Sequence, residues 1–384
     1  MRQSVIALAA ALTLLAGCAS APRPDLDAQV RTLMARERVQ GLALAVIADG
    51  QVSKVAAYGQ SNVQRALPLT PDTVMYGASL TKAVFAYMLL QLADEGKLDL
   101  DAPVATLLAR PLPEYKDKSF DFSDLAGDER WRRLTPRILL THAGGFANFR
   151  WIEPDKKLRM HFDPGTRYAY SGEGYYLLQL IVEQGLGLDL GKEMQRRVFD
   201  RFGMTRTSMQ WRADFADNLA DGYGIDGAFE AHDQRSRARA AGSMDTTIAD
   251  QARLWAAIVR GDGLSAAMRA QMIRPQLPIT SPQQFPTLSD AIAPGNAQIG
   301  LAAGLGVVTF RDRSGAAWFK GGHNDSTGNM VICLEQGRRC VVMLANDVRA
   351  ERIYPAIVRL VLGDTAMPWT WEYGPSTTNE SPAP

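Results

Sequence analysis

Residues 76–83 read Y-G-A-S-L-T-K-A and place Ser79 three residues before Lys82. Apolar side chains follow at helical spacing until Gly96, which is typical of a helix end. Because positions i and i+3 share one helix face, we expect the amine of Lys82 beside the hydroxyl of Ser79. Burial would lower the pKa of that amine and make it a base for the hydroxyl. Taken alone, the pattern is more often a helix-start serine with a solvated lysine.

Two further segments carry candidate catalytic residues. Tyr170 follows a Pro164-Gly165 break and precedes a helical pattern, and a nearby lysine cation is expected to make its phenol proton mobile. Lys320 precedes two glycines at the end of a predicted strand, which lets a substrate approach the sheet edge. The Lys320 charge would favour a phenolate or hold a substrate carboxylate. In isolation, such residues are more often a core tyrosine and a surface lysine.

The first 18 residues have the features of an export signal. Arg2 precedes an apolar run from Val5 to Ala16 that is short for a membrane span. The run ends in L-A-G-C, which resembles a bacterial lipobox. We expect Cys18 to become the lipidated first residue of a periplasmic protein, and Ala19 favours the outer membrane by the same resemblance. The alternative is an ordinary cleaved signal with an incidental cysteine.

The charge balance restricts the classes of partner. The chain has 42 basic and 41 acidic residues and lacks a strongly basic segment, which argues against nucleic acid as a partner. After the signal, no apolar run approaches the length of a membrane span, so we expect membrane attachment only through the lipid. The remaining chain of about 350 residues exceeds one simple core and indicates two lobes.

Cys333 and Cys340 lie in two apolar runs on either side of Gln336-Gly337. A two-residue turn there would place the two cysteines opposite each other in a hairpin. They are a candidate disulfide in an oxidising compartment, and two buried free thiols are the alternative. Neither has a histidine or cysteine at ligand spacing, so we expect no metal site.

Strand patterns occur at both ends of the chain and helical patterns in its middle. Asp49-Gly50 joins two β-prone runs and predicts a hairpin, strands resume after about residue 300, and a last helix is predicted at Ile353–Leu362. This order predicts the α/β (α+β) class, with one catalytic domain over residues 19–374. Its sheet lobe takes about 25–110 and 290–365, its helical lobe about 111–289, and a groove separates them. The tail at 375–384 is expected to be disordered.

The order Ser-x-x-Lys, Tyr-Ser-Gly, Lys-Gly-Gly resembles the penicillin-recognising serine hydrolases. In detail it is similar to class C β-lactamases and the esterases, D-aminopeptidases and carboxypeptidases grouped with them. The resemblance implies a β-lactamase/transpeptidase-like fold, in which helices flank an antiparallel sheet beside a mostly helical lobe. It covers about residues 28–362 and includes four further segments: 93–103, 139–146, 198–207 and 241–251.

The resemblance also implies roles for individual residues, without a metal or an organic cofactor. Ser79 would be the acylated nucleophile and Lys82 its base. Tyr170 would carry the proton to the leaving group and later activate the deacylating water, while Lys320 supplies an electrostatic bias. The backbone N–H groups of Ser79 and His323 would form the oxyanion hole.

Two positions depart from the family pattern. Gly172 stands in the place of the asparagine of Tyr-x-Asn, which removes an amide for a substrate acylamino group. Gly321 stands in the place of the threonine of Lys-Thr-Gly, which removes a hydroxyl often used against a β-lactam carboxylate. We name Gly321, Gly322 and Asn148 as candidate substrate-binding residues, with Glu173 as the alternative source of the missing polar contact.

The predicted function is therefore hydrolysis of an ester or amide through an acyl-Ser79 intermediate. Small acyl esters or D-amino-acid peptides are favoured over β-lactams, and the protein is expected to be a monomer. The alternatives are a true class C-type β-lactamase and a non-catalytic protein that binds peptidoglycan fragments. His142 is expected to have a structural role in its loop. The chain lacks the G-x-S-x-G motif of α/β-hydrolases and the H-E-x-x-H motif of zinc proteases, so the sequence does not support either class.

Overall fold

The computed structural model describes residues 25–375, so the signal with Cys18 and the tail from residue 376 lie outside the described residues. The helices of the described part are α1 Leu26–Glu37, α2 Leu80–Asp94, α3 Val104–Leu107, α4 Pro136–Leu140, α5 Gly172–Leu180, α6 Leu190–Met194, α7 Ile248–Arg260, α8 Ala266–Ile273, α9 Gly295–Gln298, α10 Tyr354–Leu362 and α11 Trp369–Tyr373. Its strands are β1 Gly41–Ala48, β2 Gln51–Asn62, β3 Leu67–Pro68, β4 Met75–Tyr76, β5 Gly222–Tyr223, β6 Phe229–Glu230, β7 Asp245–Thr246, β8 Leu277–Pro278, β9 Ala302–Ala303, β10 Val308–Asp312, β11 Gly315–His323, β12 Gly328–Leu334 and β13 Arg339–Ala345.

One large antiparallel sheet uses strands from both ends of the chain. Its order across residues 25–375 is β3-β2-β1-β13-β12-β11-β10-β9-β8. β1 pairs with β13, with Leu42 opposite Ala345, as expected for a sheet shared by the two termini. β8 corrects the proposed lobe boundary, because Leu277–Pro278 comes from the segment assigned to the helical lobe and pairs with β9. A two-residue strand carries no periodic pattern that a sequence could display.

The first hairpin has the predicted turn. Asp49 and Gly50 both have positive φ, 53° and 72°, which is the conformation that a two-residue turn needs to match the strand twist. β1 is then buried along nearly its whole length. Its alternate residues enter different cores, with Ala43 and Ala45 on one face and Leu42 on the other. The sheet is therefore covered on both faces.

The second hairpin brings the two cysteines together. Gln336 and Gly337 are the central residues of a turn that the N–H of Arg338 closes on the carbonyl of Glu335 at 3.1 Å. Cys333 lies opposite Cys340 in the β12–β13 register, and a disulfide joins them. The predicted pairing is confirmed.

Helix α2 lies between the sheet and the helical lobe. Almost all of its side chains are buried, from Leu80 to Leu92, so it has no solvent-facing stripe. It contacts β11 on the sheet side and α6 and α8 on the helical side. The first residue before this helix, Ser79, therefore lies where the two lobes meet. No helix within residues 25–375 combines the length and apolarity needed to cross a bilayer.

Candidate active site

Ser79 is held at the start of α2 by a constrained turn. The preceding residue, Ala78, has φ 45°, which is unusual for a residue with a side chain. The N–H of Gly77 donates to the carbonyl of Met244 at 2.8 Å and fixes the turn on the helical lobe. Such strain persists only where the surroundings hold it, and it is common at functional sites. Ser79 lines a cavity of about 200 Å³ with Lys82, Tyr170 and Lys320.

The side chain of Lys82 lies beside the serine hydroxyl, as the i, i+3 spacing predicts. Its Nζ is 3.0 Å from Oγ of Ser79 and donates to the carbonyl of Ala241 at 2.6 Å. The side chain is buried, and this burial lowers the pKa of Lys82 far below its usual value. The positive charge of Lys320 lowers it further. A neutral amine next to the hydroxyl can accept its proton.

Tyr170 contacts the same serine from the other side. Its hydroxyl is hydrogen-bonded to Ser79. The Nζ atoms of Lys82 and Lys320 lie 5.0 and 5.2 Å from the centre of its ring. Burial nevertheless raises the pKa of Tyr170, and the hydrogen bond with Ser79 only partly opposes this shift. The expectation of a phenolate is therefore wrong: the desolvated ring keeps its proton and can donate it.

His142 positions Tyr170 from behind. The two rings lie 4.5 Å apart, and His142 Nδ1 accepts a hydrogen bond of 3.1 Å from the N–H of Ser171. Burial lowers the pKa of His142 strongly, and the positive charge of Lys320 lowers it further. The imidazole is thus neutral and acts as an acceptor, in agreement with the structural role expected for this loop residue.

Lys320 is the second buried lysine of the site. Its Nζ donates to the carbonyl of Gly321, and burial lowers the pKa of Lys320 to about 8, against the opposing charge of Glu372. Lys320 therefore already has a carboxylate neighbour within the protein, Glu372. This corrects the expectation that its charge is available to hold a substrate carboxylate. The sequence contains no local pattern that pairs these two residues.

Gly322 lets β11 approach the start of α2. A Cβ atom at this position would lie 2.6 Å from the amide nitrogen of Leu80 and 2.9 Å from that of Ser79, which is too close for any side chain. The next residue, His323, also lines the cavity. Nδ1 of its ring lies 3.1 Å from Oε1 of Glu351, so the side chain of His323 pairs with that carboxylate. The close approach of β11 to the start of α2 at Gly322 is the arrangement that an oxyanion hole formed by the backbone amides of Ser79 and His323 requires.

Other side chains fill the space at both departures from the family pattern. A Cβ atom at Gly172 would overlap the ring of Phe149, and one at Gly321 would overlap Oε1 of Glu372. The N–H of Gly172 donates to Oδ1 of Asn148 at 3.0 Å. An aromatic ring and a carboxylate thus stand where the family would place an asparagine and a threonine.

The candidate substrate-binding residues have different outcomes. Gly321, Gly322 and Asn148 all line the cavity of Ser79. Glu173 does not: it is buried in an ion pair with Arg150, with 2.7 Å between Nη2 and Oε2. The backbone N–H of Arg150 donates to the same carboxylate at 2.9 Å. This pairing uses the charge of Glu173 for the fold and corrects its proposed substrate contact.

Sequence reasoning missed the residues that close the other side of the cavity. Gln284, Phe285 and Glu372 line it, and Gln284 Nε2 donates to Glu372 Oε2 at 2.8 Å. They come from the loop before α9 and from α11, where no motif stands. The glycine at position 321 was the one available signal, since a missing side chain leaves room for another group.

A larger cavity of about 590 Å³ adjoins the first and shares Ser79. Phe149 and Trp151 form part of its lining, with their rings stacked 4.0 Å apart. Three arginines of the segment 233–239 also line it: Arg235, Arg237 and Arg239. Among the described residues, His, Cys, Asp and Glu form no group of three able to hold a metal ion.

The fold and this site together define a class, that of proteins with a β-lactamase or penicillin-binding-protein fold and a serine–lysine–tyrosine cluster at the lobe boundary. The comparisons with known proteins agree. The family model described as Beta-lactamase matches residues 26–362, and the chain belongs to that family.

Curated relatives match part of the chain. A D-aminopeptidase of Gluconobacter oxydans is 30% identical over 188 residues, which cover 47% of this chain and 34% of the relative. A lovastatin esterase of Penicillium rubens is 29% identical over 161 residues, covering 36% of this chain and 40% of the relative. The chain thus spans less than half of the length of these curated relatives.

Solved structures match most of the chain at low identity and show the fold alone. An octameric penicillin-binding protein homologue from Pyrococcus abyssi has a TM-score of 0.68 at 20% identity, covering 88% of this chain and 77% of the other. The D-alanine carboxypeptidase AmpC from Burkholderia cenocepacia has a TM-score of 0.63 at 22% identity, covering 87% of this chain and 97% of the other.

Proposed function

We propose that this protein is a serine hydrolase that cleaves an ester or amide through an acyl-Ser79 intermediate. The observation that carries the proposal is the contact of one hydroxyl with two buried proton carriers, Lys82 at 3.0 Å and Tyr170 by a hydrogen bond. A neutral amine and a protonated phenol on the same oxygen form a complete base and acid for acyl transfer.

The proposed acylation follows from the protonation states. The neutral amine of Lys82 accepts the proton of Ser79 as Oγ bonds to the substrate carbonyl carbon. The developing oxyanion is held by the amides of Ser79 and His323. The leaving group takes a proton from the phenol of Tyr170, and the proton on Lys82 restores the phenol. Deacylation repeats the steps with water as the nucleophile.

For the substrate we favour small acyl esters or D-amino-acid peptides over β-lactams. Gly172 and Gly321 lack the amide and hydroxyl that would serve an acylamino group and a β-lactam carboxylate. A D-aminopeptidase and a lovastatin esterase stand among the relatives, which supports this ranking.

Fluorophosphonate labelling tests the intermediate. We expect stoichiometric labelling of the protein and loss of labelling in Ser79→Ala, with the modified peptide containing residue 79. Labelling of Ser79→Ala at the wild-type rate would refute the assignment. The same experiment separates the hydrolase from a non-catalytic binder of peptidoglycan fragments, because a binder has no activated serine.

A substrate panel tests the ranking. We expect turnover of p-nitrophenyl butyrate or of D-alanine p-nitroanilide, an amide without a carboxylate, to exceed that of nitrocefin, with each rate lost in Ser79→Ala. Strong hydrolysis of nitrocefin alone would instead identify a β-lactamase of the class C type.

We further propose that the enzyme acts as a monomer at the periplasmic face of a bilayer, attached through Cys18. The support for the attachment is the L-A-G-C motif at residues 15–18. Sedimentation of the chain without its signal tests the oligomeric state, with a mass near 40 kDa expected from the 42.0 kDa of the full chain.

A further inference from the structure

The C-terminal helix places a carboxylate inside the cavity of the nucleophile. α11 carries Glu372, which is 6% exposed and lines the same cavity of about 200 Å³ as Ser79. Gln284 holds the carboxylate from one side by donating to Oε2 at 2.8 Å. A buried acid held by a side-chain amide has a defined position, so it presents a fixed charge to whatever enters.

Gly321 makes room for this carboxylate. The Cβ of any other residue would overlap Oε1 of Glu372, and its position would be 3.0 Å from Cδ. The acid therefore occupies the space where the family threonine would present a hydroxyl to a substrate carboxylate. In the family pattern a threonine hydroxyl and a lysine bind a substrate anion. In this chain the corresponding lysine, Lys320, already lies near the carboxylate of Glu372.

The charges near the deep end of the cavity are balanced without a substrate. Burial raises the pKa of Glu372 and the charge of Glu351 adds to this shift, while the charges of Lys320 and His323 oppose it. Lys82 is neutral, because burial lowers its pKa so far. His323 has its own carboxylate, Glu351, 3.1 Å away. A second anion at this end would meet Glu372 without a surplus cation, in surroundings that screen charges poorly.

We propose that Glu372 determines substrate specificity by rejecting esters and amides that carry a carboxylate near the scissile bond and admitting neutral or cationic ones. The inference deepens the proposed function and rests on it. It names the chemical class of the substrate: a neutral acyl compound, or one with an ammonium group, at the position facing α11.

Two substrate pairs measure this preference. On the leaving-group side we compare methyl 4-acetoxybenzoate with 4-acetoxybenzoate. On the acyl side we compare p-nitrophenyl hexanoate with p-nitrophenyl hydrogen adipate. The quantity is the ratio of kcat/KM for the neutral member to that for the anionic member, in wild type and in Glu372→Gln. Taking the ratio removes any general effect of the variant on the chemical step.

We expect Glu372→Gln to lower the ratio at least tenfold for one of the pairs, which corresponds to about 1.4 kcal/mol of discrimination. Glu372→Asp keeps the charge and should keep a preference for the neutral member. Glu351→Gln is the matched control, since it removes a buried carboxylate of the same neighbourhood that does not line the cavity. A ratio within twofold of wild type in Glu372→Gln, or an equal fall in Glu351→Gln, overturns the inference.

Binding gives the same test without turnover. Phenylboronic acid and 3-carboxyphenylboronic acid form reversible adducts with an active-site serine, and calorimetry measures their Kd ratio in each variant. The neutral boronate should bind more tightly to wild type, and Glu372→Gln should reduce the difference at least tenfold. If neither boronic acid forms an adduct with the wild-type protein, the result counts against the proposed hydrolase itself. Adducts with an unchanged ratio in Glu372→Gln would count against the role of Glu372 alone.

Discussion

The Nζ atom of Lys82 lies 3.0 Å from Oγ of Ser79 and is buried so deeply that its pKa falls far below that of a free lysine. Ser79 immediately precedes α2 and Lys82 lies in its first turn, so the start of this helix fixes the distance between them. The base is created by the fold, because the same amine in water would remain protonated at neutral pH.

Lys82→Met should separate catalysis from stability. Removing a general base typically costs about 10²–10⁴-fold in rate, and we expect a loss of kcat/KM in that range. The buried amine is replaced by an apolar side chain of similar length, so thermal stability should be equal or higher. Steady-state kinetics and thermal unfolding check both statements. Full activity in Lys82→Met would exclude the lysine as the base.

The pH profile of kcat/KM should have two limbs. Lys82 must be neutral, so activity is lost as the pH falls through its lowered pKa. Lys320 has a pKa of about 8, so the positive charge that biases the site is lost as the pH rises above that value.

Lys320→Met should change both limbs in a defined direction. The alkaline limb near pH 8 should disappear. The positive charge that lowers the pKa of Lys82 is also removed, so that pKa rises and the acid limb moves to higher pH. An acid limb that stays in place in Lys320→Met would show that the two lysines are not coupled.

The part of the site that the sequence predicts best is the part with local geometry. Ser79 and Lys82 share one helix turn, and the spacing alone places them together. The two hairpins are predicted equally well, because Asp49-Gly50 and Gln336-Gly337 are turns with short-range rules.

Contacts between distant segments were harder to predict. The placement of Tyr170 and Lys320 at the site rests on the resemblance to a family. The sequence favours a mobile phenol proton on Tyr170, whereas burial raises its pKa, and a loop sequence does not show how deeply a side chain is buried. The sequence does not predict the position of Glu372. Its carboxylate fills the space next to Gly321, and a contact between two residues from distant segments leaves no periodic pattern in the sequence. The glycines at 172 and 321 pointed to altered contacts, but not to the groups that fill the space.

Removing the Cys333–Cys340 disulfide should destabilise the sheet. The bond closes a short loop, with a sequence separation of 7, and loop-closure entropy gives about 2–3 kcal/mol for such a length. Urea unfolding of Cys333→Ala/Cys340→Ala should show this loss in the free energy of unfolding. The reduced wild type is the control and should unfold near the same urea concentration as the double variant. Equal midpoints for the oxidised protein and the double variant would show that the bond contributes nothing.

Cys18→Ala should release the protein from membranes if the L-A-G-C motif directs lipidation. The expected result is loss of radiolabelled palmitate and a shift from the detergent phase to the aqueous phase on phase partitioning. Cys333→Ala/Cys340→Ala should keep the label, which makes it the control for cysteine content. Palmitate incorporation that persists in Cys18→Ala would refute the assignment.

Gly172 and Gly174, two positions apart in α5, should respond oppositely to alanine. A Cβ atom at Gly172 overlaps the ring of Phe149, whereas one at Gly174 has only ordinary contacts at 3.6 Å and beyond. We expect Gly172→Ala to lose about 1–3 kcal/mol in the free energy of unfolding, the usual cost of overpacking. Gly174→Ala should gain up to about 1 kcal/mol, because alanine favours the helix.

A double-mutant cycle tests whether Phe149 is the cause. Phe149→Ala removes the ring, so Gly172→Ala should cost at least about 1 kcal/mol less in that background than in wild type, while the effect of Gly174→Ala stays nearly unchanged. Urea unfolding of the six proteins provides all the free energies. Additive effects of Gly172→Ala and Phe149→Ala would mean that another contact excludes a side chain at position 172. The aromatic ring would then not be the group that replaces the family asparagine.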